Sequence, residues 1–209
     1  MANPPSWLKP NTPVRPLQYV SPDQYSENAA ICTQDQDQCI NNWGGGGSGT
    51  LLRFYQYSES IANNWWNWWY EGKVTLPGDP NPWPFTSGSG VNNDYQGNAV
   101  WKFGFSPNRT QQGSGNCIDQ GLFSGNYSHL RTNGCVSPTG QTQTSSKYQY
   151  FVQDGNGRLI AVEATNILVA AEGNITHVWV GTEDFEQGNG TYVFLVTDLG
   201  DAERWGAYL

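Results

Sequence analysis

The sequence predicts a mainly β protein: an antiparallel β-sandwich or jelly-roll-like domain with an extended Pro-rich N-terminal arm and at most one or two short helices. Three observations predict it. Aromatic residues make up 14% of the 209-residue chain and charged residues only 13%, and there are 25 glycines; this suits short strands joined by polar, Gly-rich loops. Runs of strand length, rich in β-branched and aromatic residues, recur through residues 50–197 between clusters of Gly, Asn and Asp. Prolines at 4, 5, 10, 13, 16 and 22 crowd the first segment, where they remove backbone donors and favour extended geometry.

The arm comes first. Residues 1–22 intersperse those prolines with Trp7, Leu8, Val14, Leu17, Tyr19 and Val20. So many apolar side chains suit a segment lying against its own domain or a neighbouring subunit; a loose leader is the alternative. The stretch lacks the apolar core of a signal peptide. Residues 23–49 hold Cys32, Cys39 and the run WGGGGSG at 43–49, which reads as a flexible boundary. The expected division is therefore an arm with a disulfide loop over 1–49 and a β-sandwich domain over 50–209.

Strands are expected at TLLRFYQY (50–57), KVTL (73–76) and AVWKFGF (99–105). KYQYFVQ (147–153) and RLIAVEA (158–164) flank Asp154-Gly155-Asn156-Gly157, a strong hairpin signal because Gly and Asn accept positive φ. NILVAA (166–171), ITHVWVG (175–181) and TYVFLVT (191–197) extend the pattern as an antiparallel meander. No repeat of fixed period is visible. The one candidate helix covers NNWWNWWYEG (63–72), capped by Ser58 or Ser60 and ended by Gly72. At helical spacing Ile61, Trp65, Trp68 and Trp69 share a face. As a strand, Trp65 and Trp69 would lie on one side and Trp66 and Trp68 on the other, both aromatic.

The four cysteines allow three connectivities. Their spacing favours the local pairs Cys32–Cys39 and Cys117–Cys135, and neither pair has the CxxC spacing of a zinc site. The net charge is −8, with scattered basic residues, which disfavours nucleic acid and anionic membranes. No run of 18 apolar residues exists. Sequons occur at Asn108, Asn126, Asn174 and Asn189; at this Asn, Ser and Thr content, about three are expected by chance.

No catalytic motif is present, and no cofactor is expected. His177 lies mid-strand, and His129 lies in NYSHLR without a nucleophile motif. Glu183, Asp184 and Glu186 have a spacing similar to the acidic strand of laminarinase-type glycosidases, but the first two are adjacent and would point to opposite faces. The three precede a turn, so a solvated loop is the simpler account. Asp198, Asp201 and Glu203 extend an acidic C-terminal region without EF-hand spacing. No metal site is expected, and the chain reads as non-enzymatic.

Ten tryptophans remain to be explained. Trp65, Trp66, Trp68, Trp69 and Trp83, the last held between prolines, are the candidate ligand or interface residues. Few charges, abundant Gly, Asn and Thr, and a Pro-rich arm together resemble subunits of virus particles and other extracellular assemblies. That compositional resemblance implies a structural or decorating subunit, extracellular or on a virion surface, associating with itself or with other subunits through the arm and the Trp-rich segment. The alternative is a lectin-like carbohydrate-binding module, in which indoles stack on sugar rings and amides bind hydroxyls.

Overall fold

The computed structural model describes residues 28–34, 38–74, 98–109, 115–135, 147–154, 156–173, 177–183 and 188–208. The arm and Trp83 lie outside these. Among the described residues, thirteen strands form one antiparallel sheet curled into a half-barrel. They are β1 Asn28–Thr33, β2 Gln38–Asn41, β3 Arg53–Gln56, β4 Trp65–Val74, β5 Asn98–Phe105, β6 Asn116–Asp119 and β7 Ser128–His129. The rest are β8 Arg131–Gly134, β9 Phe151–Gln153, β10 Leu159–Ala161, β11 Trp179–Gly181, β12 Phe194–Val196 and β13 Trp205–Tyr208. The strands share one hydrogen-bonded network rather than the two facing sheets of a sandwich. β1 and β2, which fall in the 1–49 segment, pair with β13, β4 and β3 within it.

Six of the twelve strand pairings form two sets of three. β2–β3, β6–β8 and β11–β12 are joined by connections of similar length, 42–52, 120–130 and 182–193. β4–β5, β9–β10 and β1–β13 alternate with them along the chain. The three connections meet at their C-terminal ends. The Leu52 N–H donates to the Leu130 carbonyl at 2.9 Å, Leu130 to Val193 at 3.0 Å, and Val193 back to Leu52 at 3.1 Å. All three residues are fully buried. This closed triangle gives the fold an approximate three-fold arrangement. The corresponding buried residues Ile40, Ile118 and Val180 are unequally spaced along the chain, so a search for a fixed period misses it.

A second device recurs under each connection. Asn41 Nδ2 donates to Asn64 Oδ1 at 2.6 Å, Gln149 Nε2 to Asp119 Oδ2 at 3.1 Å, and Thr182 Oγ1 to Glu203 Oε1 at 3.4 Å. Two residues past Asn64, Gln149 and Glu203 stand Trp66, Phe151 and Trp205, all buried in the main core. The indole N–H of Trp66 donates to the Ile40 carbonyl at 2.8 Å, and that of Trp205 to the Val180 carbonyl at 3.1 Å.

The helix expected over the Trp-rich segment does not form. A single 3-10 turn, Ala62–Asn64, leads straight into β4. The strand is possible because β4 lies between β1 and β5 and buries residues on both faces. Such a strand loses the apolar-polar alternation that would have announced it. Conversely, the strand expected at NILVAA belongs to helix α1, Val162–Glu172. Its Ala and Leu content favours a helix, and the Gln120 side-chain oxygen accepts the Ala164 N–H at 2.9 Å from across the fold. Gly173, at φ 72°, closes it with an N–H to the Val169 carbonyl. The Asp154–Gly157 turn does join β9 to β10, with Asp154 Oδ1 accepting the N–H groups of Asn156 and Arg158.

The glycine run at 44–49 is tied down. Thr132 Oγ1 donates to the Gly47 carbonyl at 2.7 Å, and the Gly49 N–H donates to Thr132. The cysteines pair as Cys32–Cys39, between β1 and β2, and Cys117–Cys135, at the ends of β6 and β8.

Trp66→Ala should destabilise the protein by about 3–5 kcal/mol, because it opens a core void and leaves the Ile40 carbonyl without its donor. Thermal melting should show a drop of roughly 10 °C; an unchanged midpoint would contradict the core role.

Candidate functional site

Trp65 and Trp66 are 2% and 0% exposed, so neither offers an indole face to solvent. Trp66 packs on Phe105 with ring centroids 5.5 Å apart. Trp65 is covered by the Arg109 guanidinium, 3.6 Å above its ring, and by Tyr57. Trp68 and Trp69 lie in β4, and Trp83 lies outside the described residues.

Among the residues whose burial is described, the exposed indole is Trp43, 40% accessible. Its placement follows from the residues around it. Buried Asn42 donates its backbone N–H to the Asn63 carbonyl at 3.0 Å and its side-chain amide to the Gly46 carbonyl at 2.8 Å. The chain then turns through the 3-10 segment Trp43–Gly45, which projects Trp43 outward. β3 alternates beneath it. Leu52 and Phe54 enter the core, while Arg53 and Tyr55 are half-buried on the outer side.

The third connection completes the site. The Phe54 N–H donates to the Thr191 carbonyl and the Gly190 N–H to the Phe54 carbonyl, both at 2.8 Å. Asn189 Oδ1 accepts the Gln56 N–H at 2.7 Å. These bonds bring Gly190 beside Trp43 and Tyr192 beside Arg53. The result is a row of rings. Trp43 and Tyr55 are 5.8 Å apart, and Tyr192 and His129 are 4.7 Å apart. Arg53 lies between the pairs, 5.0 Å from the Trp43 centroid and 4.4 Å from that of Tyr192. The Asn63 side-chain oxygen lies beside Gly45, two residues past Trp43. Aromatic faces with a few fixed polar groups can bind a ligand that has both C–H faces and hydroxyls.

The other sequence candidates are spread through the structure. His177 packs its ring against Trp179 at 5.7 Å. Asp201 accepts the Tyr127 hydroxyl at 2.8 Å and Glu203 that of Thr182. Glu183 is exposed, while Asp184 and Glu186 lie outside the described residues. Among the described residues, no group of three or more His, Cys, Asp or Glu side chains could hold a metal ion. Reasoning from sequence missed Trp43, Arg53 and Tyr192. A signal was present: Arg53 is the one charge in TLLRFYQY, at an outward position of the strand.

Under the second connection, Asp119 Oδ1 accepts the Gly121 N–H at 2.7 Å. Burial pushes its carboxyl above the usual range, and the Gly121 and Gln149 hydrogen bonds and the Arg131 charge only partly offset this.

No protein-family model matches the sequence, nor does any curated protein. Solved structures do match the fold. The designed three-fold symmetric protein ThreeFoil superposes with a TM-score of 0.53 at 14% identity, over 87% of this chain and 98% of that one. A mosquitocidal holotoxin gives 0.53 at 12% identity; 88% of this chain matches 17% of the toxin. The β-trefoil lectin of a Vibrio vulnificus hemolysin, solved with N-acetyl-D-lactosamine bound, gives 0.48 at 13% identity, over 88% and 94% of the two chains. Identities this low speak to the fold alone, and the match to a three-fold design agrees with the backbone triangle.

Asp119→Asn tests the buried carboxyl. A raised folded-state pKa stabilises the fold while Asp119 is protonated. That contribution is present below the ordinary Asp value, about 3.9, and is lost as pH rises through the raised one. The melting-point difference should therefore shift in favour of Asp119→Asn between about pH 3 and pH 7; a constant difference would count against the burial effect.

Proposed function

We propose that the protein is a glycan-binding module whose contact surface is Trp43 with Tyr55 and Asn63. One observation carries this reading: Trp43 is exposed in a fold that buries Trp65, Trp66, Trp101 and Trp205, and it is held in place by Tyr55 and Arg53. An indole fixed before the ligand arrives loses little conformational freedom on stacking against a sugar ring. The Asn63 amide and the Tyr55 hydroxyl supply polar groups at the edge of that ring. Two disulfides are consistent with an extracellular protein, where glycans are accessible. The assembly reading has less support, because Trp65 and Trp66, expected at a subunit contact, are buried within the chain's own sheet.

A glycan array, followed by titration with a positive glycan under tryptophan fluorescence, tests the proposal. Trp43→Ala should weaken binding at least about tenfold, equivalent to about 1.4 kcal/mol. Its thermal midpoint should stay within the range of a surface substitution, about 0.5 kcal/mol of wild type. Silence across the array, or unchanged affinity in Trp43→Ala, would sink the reading.

A further inference from the structure

Arg53 carries information about which glycan binds. Its Nη1 donates to the Gly190 carbonyl at 3.1 Å and its Nη2 to the Tyr192 hydroxyl at 2.9 Å. A guanidinium has five N–H donors, so these bonds leave donors over. Among the described residues the one ion pair joins Arg158 to Asp154, and no carboxylate there neutralises Arg53. Yet the net charge is −8 with only ten basic residues, so acidic side chains are plentiful elsewhere. A half-buried cation with no carboxylate partner among the described residues, fixed between Trp43 and Tyr192, is placed to receive an anion from outside. The ring row also runs past it. A sugar on Trp43 and Tyr55 has Tyr192 and His129 on the far side of the guanidinium.

We infer that the ligand is an acidic oligosaccharide: one unit stacks on Trp43, and the carboxylate of a sugar acid in the same ligand is bound by Arg53. This rests on the glycan-binding reading and narrows it to a ligand class. A planar guanidinium suits a carboxylate because two parallel N–H···O bonds can form, and hydrogen bonds to ions are about twice as strong as neutral ones. The neighbouring aromatic faces lower local hydration and hold the fork in one orientation.

Two matched probe pairs test it by calorimetry: sialyllactose against lactose, and tri-galacturonate against its methyl ester. Together they distinguish a sialic acid from a uronic acid as the source of the carboxylate. At low salt the acidic member of one pair should bind about tenfold tighter than its neutral partner. Arg53→Gln should bring the two within about twofold by removing the advantage of the acidic probe, and Arg53→Lys should restore part of the preference. The wild-type protein gives an independent readout, since the preference should shrink at about 1 M salt, where charges are screened within about 3 Å. Equal binding of acidic and neutral probes, with both lost in Trp43→Ala, would overturn the acidic assignment and leave the glycan reading standing. An acidic preference that survives Arg53→Gln would also overturn it. No binding of any probe, together with a silent array, would overturn both.

Discussion

The ring of three backbone hydrogen bonds among Leu52, Leu130 and Val193 is the constraint on which the other features depend. Each residue gives its N–H to the next and takes one in return, so no buried backbone group at the centre is left unpaired. Moving any one residue would orphan a donor on one side and an acceptor on the other. The three long connections are thus fixed where they enter β3, β8 and β12. Their earlier portions are under no such demand and can differ freely. Trp43 stands in one of those free portions, which is how an exposed indole coexists with a closely paired centre.

The buried polar pairs serve the same end from below. Asn41 with Asn64, Asp119 with Gln149 and Thr182 with Glu203 each tie the start of a connection to the segment that follows it. The aromatic two positions later then fills the space beneath. Asn42 and Asn63 are direct neighbours of the first pair, and their backbone bond sets the direction in which Trp43 leaves the sheet. The site is held by the same interactions that close the core, so it needs no loop closure to form.

Much of the fold was legible and the site was not, for physical reasons that differ by element. The Asp154–Gly157 turn is read from residues that tolerate positive φ, and β3 and β5 are read from aromatic runs. The local disulfides follow from short spacing in loop sequence. β4 defeats pattern reading because burial on both faces removes alternation. Helix α1 defeats it because Ile167, Leu168 and Val169 look like a strand when the Gln120 contact that caps the helix is unknown. The three-fold plan is hidden by unequal insertions and by substitution at matching places, such as Phe151 for Trp66 and Trp205. Trp43 was overlooked because a following glycine run reads as a linker, whereas Thr132 pins that run to the second connection.

The three connections share a backbone plan, so their side chains show why the site lies on the first. Pairing register aligns Asn41 with Arg53, Asp119 with Arg131, and Gly181 with Phe194; one step outward it aligns Cys39 with Tyr55, Cys117 with Asn133, and Trp179 with Val196. In the third, Phe194 and Val196 are buried in the core, and no outward polar group stands at these positions. In the second, Arg131 packs its guanidinium against Gly121, where a β-carbon would collide with it, and its charge acts on Asp119. That arginine lies over the second connection, with an internal carboxyl near enough to feel its charge. Only in the first does the equivalent arginine lie between the exposed Trp43 and the half-buried Tyr192, with an amide, Asn41, as its strand neighbour in place of an acid. With Asn rather than Asp at that position, no carboxylate stands opposite Arg53 in the register, and the rings of Trp43 and Tyr192 flank its guanidinium.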